Sequence, residues 1–254
     1  MSATLTVENS SRVTERALPR LLVTVATYNE IDNLPDLVAA VFEIAPGAEL
    51  LVIDDNSPDG TGGWCDQTAK DEPRLHCLHR HGKLGLGTAT IAGMQYAIEH
   101  GYDYVLNMDA DFSHHPRYIP AILAAMDRAD VSIGSRYCPG GGVKDWPLAR
   151  RFMSWAVNTY ARLFLGLAPR DTSGAFRCYR VSVLKKLDFA AIKSRGYSFQ
   201  EEILWRLKRL GARMVETPII FADRERGQSK INRHEALAAL QIIFRLGLTN
   251  WLGL

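Results

Sequence analysis

The chain has 254 residues, 47% of them hydrophobic and 23% charged, with a formal charge of +2. That is enough apolar material for one large domain or two small ones, and it excludes a disordered, collagen-like or low-complexity chain. The near-neutral balance lacks the basic excess of a general nucleic-acid binder, so no nucleic-acid partner is expected. The four cysteines, Cys65, Cys77, Cys138 and Cys178, form no CxxC pair and have no histidine at finger-like spacing. They read as reduced thiols of a cytosolic protein, not as a disulfide framework or a structural zinc site.

Residues 1–20 are polar and carry no secretory signal, so they read as a flexible tail on the cytoplasmic side of the membrane. Residues 21–26 are a short β-rich apolar run, a buried strand. Residues 32–44 have an early Asp and Asn, Pro35 near the first turn and helical apolar spacing, which predicts a helix. A second strand at 50–53 ends in Asp54-Asp55, and a Gly/Ser/Pro turn leads to a helix at 63–70. A strand at 75–79, a glycine-entered helix at 85–99 and a strand at 102–108 follow. The last of these ends in Asp109-Ala110-Asp111, before a helix at 116–127 and a strand at 131–133.

Alternating helices and unalternating apolar strands predict an α/β fold, a mostly parallel sheet with helices on both faces. Ligands of such sheets bind beyond the carboxyl ends of the strands. Those ends here carry Thr27-Tyr28-Asn29-Glu30, Asp54-Asp55 and Asp109-Ala110-Asp111.

The second half is less regular. Gly140-Gly141-Gly142 reads as a flexible break, and 147–165 as a helix bearing Arg150, Arg151 and Arg162. Residues 175–180 read as a strand, 199–210 as a helix, 214–221 as a strand and 223–230 as a polar loop. Residues 236–254 are nearly all apolar, with Gln241, Arg245 and Thr249 four apart on one face. A spanning helix needs about 20 apolar residues, and Arg245 would sit in its middle. Two readings stay open: an amphipathic helix lying in the membrane interface, or a core helix closing the domain.

Two carboxylates two residues apart at a strand end, Asp109 and Asp111, can turn toward one Mg²⁺-like cation carrying substrate phosphates. Asp54-Asp55 with Ser57 and Asp59 reads, alone, as turn chemistry. The glycine-rich run from His79 to Gly87 lacks the Walker spacing of an ATPase and reads as a packing loop. Arg136, Arg150, Arg151, Arg224, Arg226 and Lys230 would suit phosphate groups if they adjoined the acidic pair. His114 is expected to support its loop by hydrogen bonding, not to ligate metal.

The motifs around Ala26-Thr27-Tyr28-Asn29-Glu30, Ile53-Asp54-Asp55-Asn56-Ser57 and Asp109-Ala110-Asp111-Phe112-Ser113 resemble the inverting GT-A glycosyltransferases of family 2. Leu84 to Thr88, Gly134-Ser135-Arg136-Tyr137, Trp146 to Ser154, Asp171 to Arg180, Gly196 to Gln200 and Asp223 to Lys230 narrow the likeness. These are similar to dolichyl- and polyprenyl-phosphate mannosyltransferases. Ala26 stands where the family usually has proline, and Ser113 where many members have glutamine.

The resemblance implies a GT-A catalytic domain over 21–231 and a C-terminal amphipathic helix over 232–254. It implies GDP-mannose as donor, Mg²⁺ or Mn²⁺ as cofactor and a polyprenyl phosphate as acceptor, at the cytoplasmic face of a membrane. Ala26, Tyr28, Glu30, Ile53 and Asp55 would bind the nucleotide. Asp109, Ala110 and Asp111 would meet the diphosphate, with Asp109 and Asp111 on the metal. Arg136, Arg224 and Lys230 would contact the donor, and Asp111, Arg224 and Lys230 would act in catalysis. Arg150 and Ser154 would receive the acceptor phosphate. The resemblance also allows a membrane-anchoring partner subunit. Glucosyl transfer from UDP-glucose is the rival activity, and a non-catalytic nucleotide-binding subunit the rival from another class.

Overall fold

A computed structural model describes residues 19–194, 196, 198–222 and 233–252, with side chains from Leu240 onward in the last segment, Asn250 excepted. One sheet organises them. Its strands are β1 (Leu21–Thr27), β2 (Ala48–Asp54), β3 (Leu75–His79), β4 (Tyr104–Asp109), β5 (Val131–Ser135), β7 (Arg177–Arg180) and β8 (Met214–Pro218). They lie in the order β3-β2-β1-β4-β7-β5-β8. Every pairing is parallel except those of β7, which runs antiparallel to β4 and β5. A small parallel pair, β6 (Gly142–Val143) with β9 (Ile220–Phe221), stands beside it.

The helices are α1 (Leu34–Ile44), α2 (Thr61–Thr68), α3 (Leu86–Glu99), α4 (Ile119–Ala124), α5 (Leu148–Leu165), α6 (Val181–Leu184), α7 (Phe199–Arg209) and α8 (Arg233–Leu252). The twofold period of a strand sends alternate residues to opposite faces. Leu22, Leu51, Ile53, Val105 and Ile133 join α3, α5, α7 and α8 in one core. Leu21, Val23, Val25, Leu50, Val52, Leu106 and Met108 join α1 and α4 in the other. The mostly parallel sheet covered on both faces is as read from the sequence.

Three local readings change. The strand expected over 214–221 is interrupted: the Ile219 N–H leaves for the Ser135 carbonyl, 3.0 Å away, and the chain switches from β8 to β9. The triple glycine is not a loose break, because Gly142 pairs with Ile220. The helix over 116–127 is three short pieces, 3₁₀, α and 3₁₀, with prolines entering the first two. Proline brings no N–H to a helical ladder and is suited to such entries.

Helix α8 packs on α5 closely enough that a Cβ on Gly247 would lie 3.0 Å from the Phe164 ring. Ile243 and Leu246 are buried in the core, and the Trp251 indole donates to the Phe164 carbonyl at 3.2 Å. Leu240, Phe244, Leu248, Trp251 and Leu252 remain exposed. Among the described residues no helix is long and apolar enough to cross a membrane.

Candidate active site at the strand ends

The sheet register brings three acidic strand ends level. Ala26 pairs with Ile53 on one side and Asp109 on the other, and Thr27 pairs with Asp54. Asn29, Asn56 and Phe112, each just beyond one of these ends, have φ of 59°. Asparagine tolerates this left-handed region; a bulky residue adopts it at a cost of about 1–3 kcal/mol. At Phe112 the turn folds the chain back so that the Ser113 amide and hydroxyl both donate to Asp111 Oδ1, at 3.2 and 2.6 Å. Asp111 is thereby buried and oriented, while Asp109 is one-third exposed.

His114 supports this turn from below. Its Nδ1 accepts the Asp109 backbone N–H at 3.1 Å, which places its ring proton on Nε2. The ring is buried against Phe176, at 5.1 Å between centroids. Burial pushes its pKa down, so it stays neutral and takes no charge from the acidic pair.

The side of the site opposite α5 is built from the ends of β1 and β2. Tyr28 lies under the Lys83 ammonium, 3.5 Å from the ring centroid. The Glu30 amide donates to Thr61 Oγ1, and its carboxylate accepts from Asn33 at 3.0 Å. Ile53 and Ala110 are buried, so only their backbones can meet a ligand. Asp54 is turn chemistry as read, accepting from Thr27 and from the Ser57 amide and hydroxyl. Asp55 is different. Arg80 Nε lies 3.2 Å from Asp55 Oδ1, an ion pair by distance. The contact is not a hydrogen bond, and Asp55 Oδ1 and an Arg80 terminal nitrogen are buried without hydrogen-bond partners among the described residues. Burial raises the Asp55 pKa, with Arg80 opposing it. Arg80, read from the sequence as part of a packing loop, is thus part of the site; its sequence signal was only proximity to the glycines.

The Arg136 side chain is largely enclosed, 9% exposed, and held by Asp171 through two bonds of 2.7 Å, and it also donates to Ser173 at 2.8 Å. Asp171 is held below the usual carboxylate range by Arg136, against the opposing effect of burial. Asn158 of α5 accepts from the amides of Thr172 and Ser173 and donates to the Ser154 carbonyl. The neighbouring Tyr137 hydroxyl donates to Ser154 Oγ at 2.7 Å. Arg150 lies over the Trp146 ring, 4.0 Å from its centroid. The fold therefore joins Arg136, Ser154 and the 171–174 turn. Asp171 and Asn158, which carried no assigned role in the sequence, are what hold them. Arg224 and Lys230 fall outside the described residues. A separate cavity of about 510 Å³, lined by Tyr102, Asp103, Arg180 and Lys185 among others, opens at the opposite, amino edge of the sheet.

Residues 22–188 match the family described as Glycosyl transferase family 2. The chain belongs to this family. It is a glycosyltransferase with a GT-A fold. It is 44% identical over 236 residues to the undecaprenyl-phosphate mannosyltransferase of Micrococcus luteus, covering 92% of this chain and 97% of that one. It is 45% identical over 221 residues to the polyprenol monophosphomannose synthase of Mycolicibacterium smegmatis, covering 86% of this chain and 83% of that one. Among solved structures, glucosyl-3-phosphoglycerate synthase from Mycobacterium tuberculosis, bound to Mn²⁺, UDP and its product, superposes with a TM-score of 0.62. That match has 18% identity and covers 92% of this chain and 80% of the other, a likeness of fold.

Proposed function

We propose that this glycosyltransferase moves a mannosyl group from GDP-mannose to a polyprenyl phosphate at a membrane surface, inverting the anomeric centre. Relatives at 44% and 45% identity carry mannosyl transfer and polyprenyl acceptors in their names. The observation that carries the reading is the chain of contacts from the acidic pair to α5. His114, which accepts the Asp109 amide, packs on Phe221 at 5.4 Å between centroids, the Arg136 guanidinium faces the same ring at 5.6 Å, Tyr137 follows Arg136, and the Tyr137 hydroxyl reaches Ser154. Donor phosphates at the one end and an acceptor phosphate at the other would meet across this path.

Two hard carboxylates, with Asp111 already oriented by Ser113, fit Mg²⁺ or Mn²⁺ and substrate phosphate oxygens. When bound, such an ion neutralises charge developing on the nucleoside diphosphate. Asp55 and Arg80 offer buried, unsatisfied polar atoms to the nucleotide. Arg224 and Lys230, by family resemblance, add positive charge to the donor side. Arg150 and Ser154 hold the acceptor. A phosphate monoester has its second pKa at about 6, so near neutrality it is already an oxyanion nucleophile and requires no strong general base. Direct attack from the face opposite the leaving diphosphate converts an α-linked donor to a β-linked mannosyl phosphate.

The peripheral membrane location rests on α5 and α8. Leu148, Phe152, Met153, Trp155 and Leu163 of α5 and five apolar residues of α8 are exposed. The deciding experiment incubates the protein with GDP-mannose, UDP-glucose and other sugar nucleotides, Mg²⁺ or Mn²⁺, and short polyprenyl phosphates, and identifies the lipid product by mass spectrometry. Mannosyl-phosphoryl lipid from GDP-mannose alone is the expected result. Glucosyl lipid from UDP-glucose would give the rival activity, and no transfer from any donor would overturn the enzyme reading of this site.

A further inference from the structure

On the outer edge of the sheet, behind the nucleotide loops, three side chains from two elements converge. Cys77 and His79 are two apart on β3, so the strand period points both toward the same face. That face meets α2, which supplies Asp66. One ligand atom from each of Asp66, Cys77 and His79 lies within 4.8 Å of the others. His79 Nε2 and Asp66 Oδ1 are already 2.9 Å apart, and both side chains are half exposed, giving an ion a path from solvent. The Cys77 thiol also faces that of Cys65, which is fully buried one residue before Asp66.

A glycine sets how closely α2 approaches the cluster. A Cβ on Gly62 would lie 2.9 Å from Asp54 Oδ2 and 3.0 Å from His79 Cε1, so α2 approaches the imidazole through a glycine. A thiolate, an imidazole nitrogen and a carboxylate oxygen are the ligand types of zinc, whereas Mg²⁺ takes oxygen alone. The sequence spacing concealed the set, because its members are separated by the turn between α2 and β3.

We propose that Asp66, Cys77 and His79 form a second cation site, specific for a borderline divalent ion of the zinc class and independent of Asp109 and Asp111. The ion would clamp edge strand β3 to α2. Thr61 in the first turn of α2 receives the Glu30 amide, so the clamp would also steady the nucleotide loops from behind.

The test uses the full chain, stripped of metal under reducing conditions and titrated with Co²⁺ and then Zn²⁺. A thiolate-to-cobalt charge-transfer band, lost on addition of Zn²⁺, is expected, together with a raised unfolding temperature when Zn²⁺ is bound. The band should survive in Asp111→Asn and disappear in Cys77→Ser. Asp66→Asn, at an exposed position that leaves packing intact, should weaken Zn²⁺ binding at least about tenfold, the scale on which even supporting groups of metal sites act. No thiolate band in the wild type, or a band that persists in Cys77→Ser, would overturn the site. So would unchanged Zn²⁺ affinity in Asp66→Asn.

Discussion

Arg136 and Asp171 form a bidentate pair inside the protein, with Nε on Oδ2 and a terminal nitrogen on Oδ1, each at 2.7 Å. Asp171 is fully buried, so neither charge can be left alone without a large desolvation penalty. The pair fixes the turn that carries Ser173, and Asn158 ties that turn to the middle of α5. Asp171→Asn should therefore cost about 3–5 kcal/mol, the range for breaking a buried ion pair on one side. Urea denaturation measures it. Because the folded carboxyl is held low, its contribution is present above the ordinary aspartate range and is lost as pH falls through the depressed folded value. Asp171→Asn should flatten the acid limb of the stability profile; an unchanged limb would remove the pair from this role.

Asp111→Asn should keep the fold and lower kcat by at least about 100-fold, as expected for loss of a charged metal ligand whose neighbours alone are worth 10–100-fold. The Ser113 bonds can be retained by the amide oxygen, so circular dichroism and the unfolding midpoint should stay near wild type. Wild-type turnover with the same metal dependence would take Asp111 out of the metal site. Ser113→Ala, which leaves the carboxylate but removes its 2.6 Å donor, should produce a smaller loss of about tenfold.

Arg150→Ala should raise the KM for lipid phosphate while calorimetric affinity for the donor stays near wild type. The Arg150 guanidinium rests on Trp146, on the α5 side of the site. If donor affinity collapses and the lipid KM is unchanged, Arg150 belongs to the donor.

Glu201 gives a pH signature of opposite sign to Asp171. It is buried at the start of α7, one carboxylate oxygen has no hydrogen-bond partner among the described residues, and burial pushes its pKa up to about 7. The folded state thus holds a proton that the unfolded chain releases near the ordinary carboxyl range. Stability should fall as pH rises through that window to about 7 and then level off, losing about 3 kcal/mol across it. Glu201→Gln should abolish the slope and stabilise the protein at pH above 7. Parallel wild-type and variant curves would mean that Glu201 ionises at no cost.

The parallel half of the fold was legible because each strand was a short apolar run ending in charge, and the register then brought those ends together. The acidic pair and the supporting role of His114 followed from the same local logic. Arg136–Asp171 was not legible as a pair. Its partners are 35 residues apart, and β7 had to enter the sheet from the carboxyl edge, against its neighbours, to bring Asp171 there. Glycine punctuation also misled in one place, since Gly142 is a strand residue whose partner, Ile220, lies far along the chain.

A lipid acceptor would require an exposed apolar surface beside the site, and α5 and α8 both offer one. Removing 236–254 would not isolate a membrane contact, because Ile243 and Leu246 fill the core and Gly247 and Trp251 pack on Phe164. That truncation should unfold the protein or cause it to aggregate. Helix α5 permits a cleaner test. Leu148, Phe152 and Trp155 recur at helical spacing and are 80%, 64% and 54% exposed, with Phe152 and Trp155 rings 5.9 Å apart. An amphipathic helix lies in the interface with such a face toward the acyl boundary, and basic residues such as Arg151 favour anionic headgroups. Each large apolar side chain withdrawn from water contributes about 1.5–3 kcal/mol. Phe152→Ser with Trp155→Ser should therefore lower partition onto anionic vesicles by at least about tenfold, with unfolding midpoint and donor affinity unchanged. Transfer to long-chain acceptors should fall more than transfer to short, soluble ones. Vesicle partition equal to wild type would move the contact to the exposed α8 stripe of Leu240, Phe244 and Leu248, where the same paired substitution of Phe244 and Leu248 by Ser would then have to abolish it.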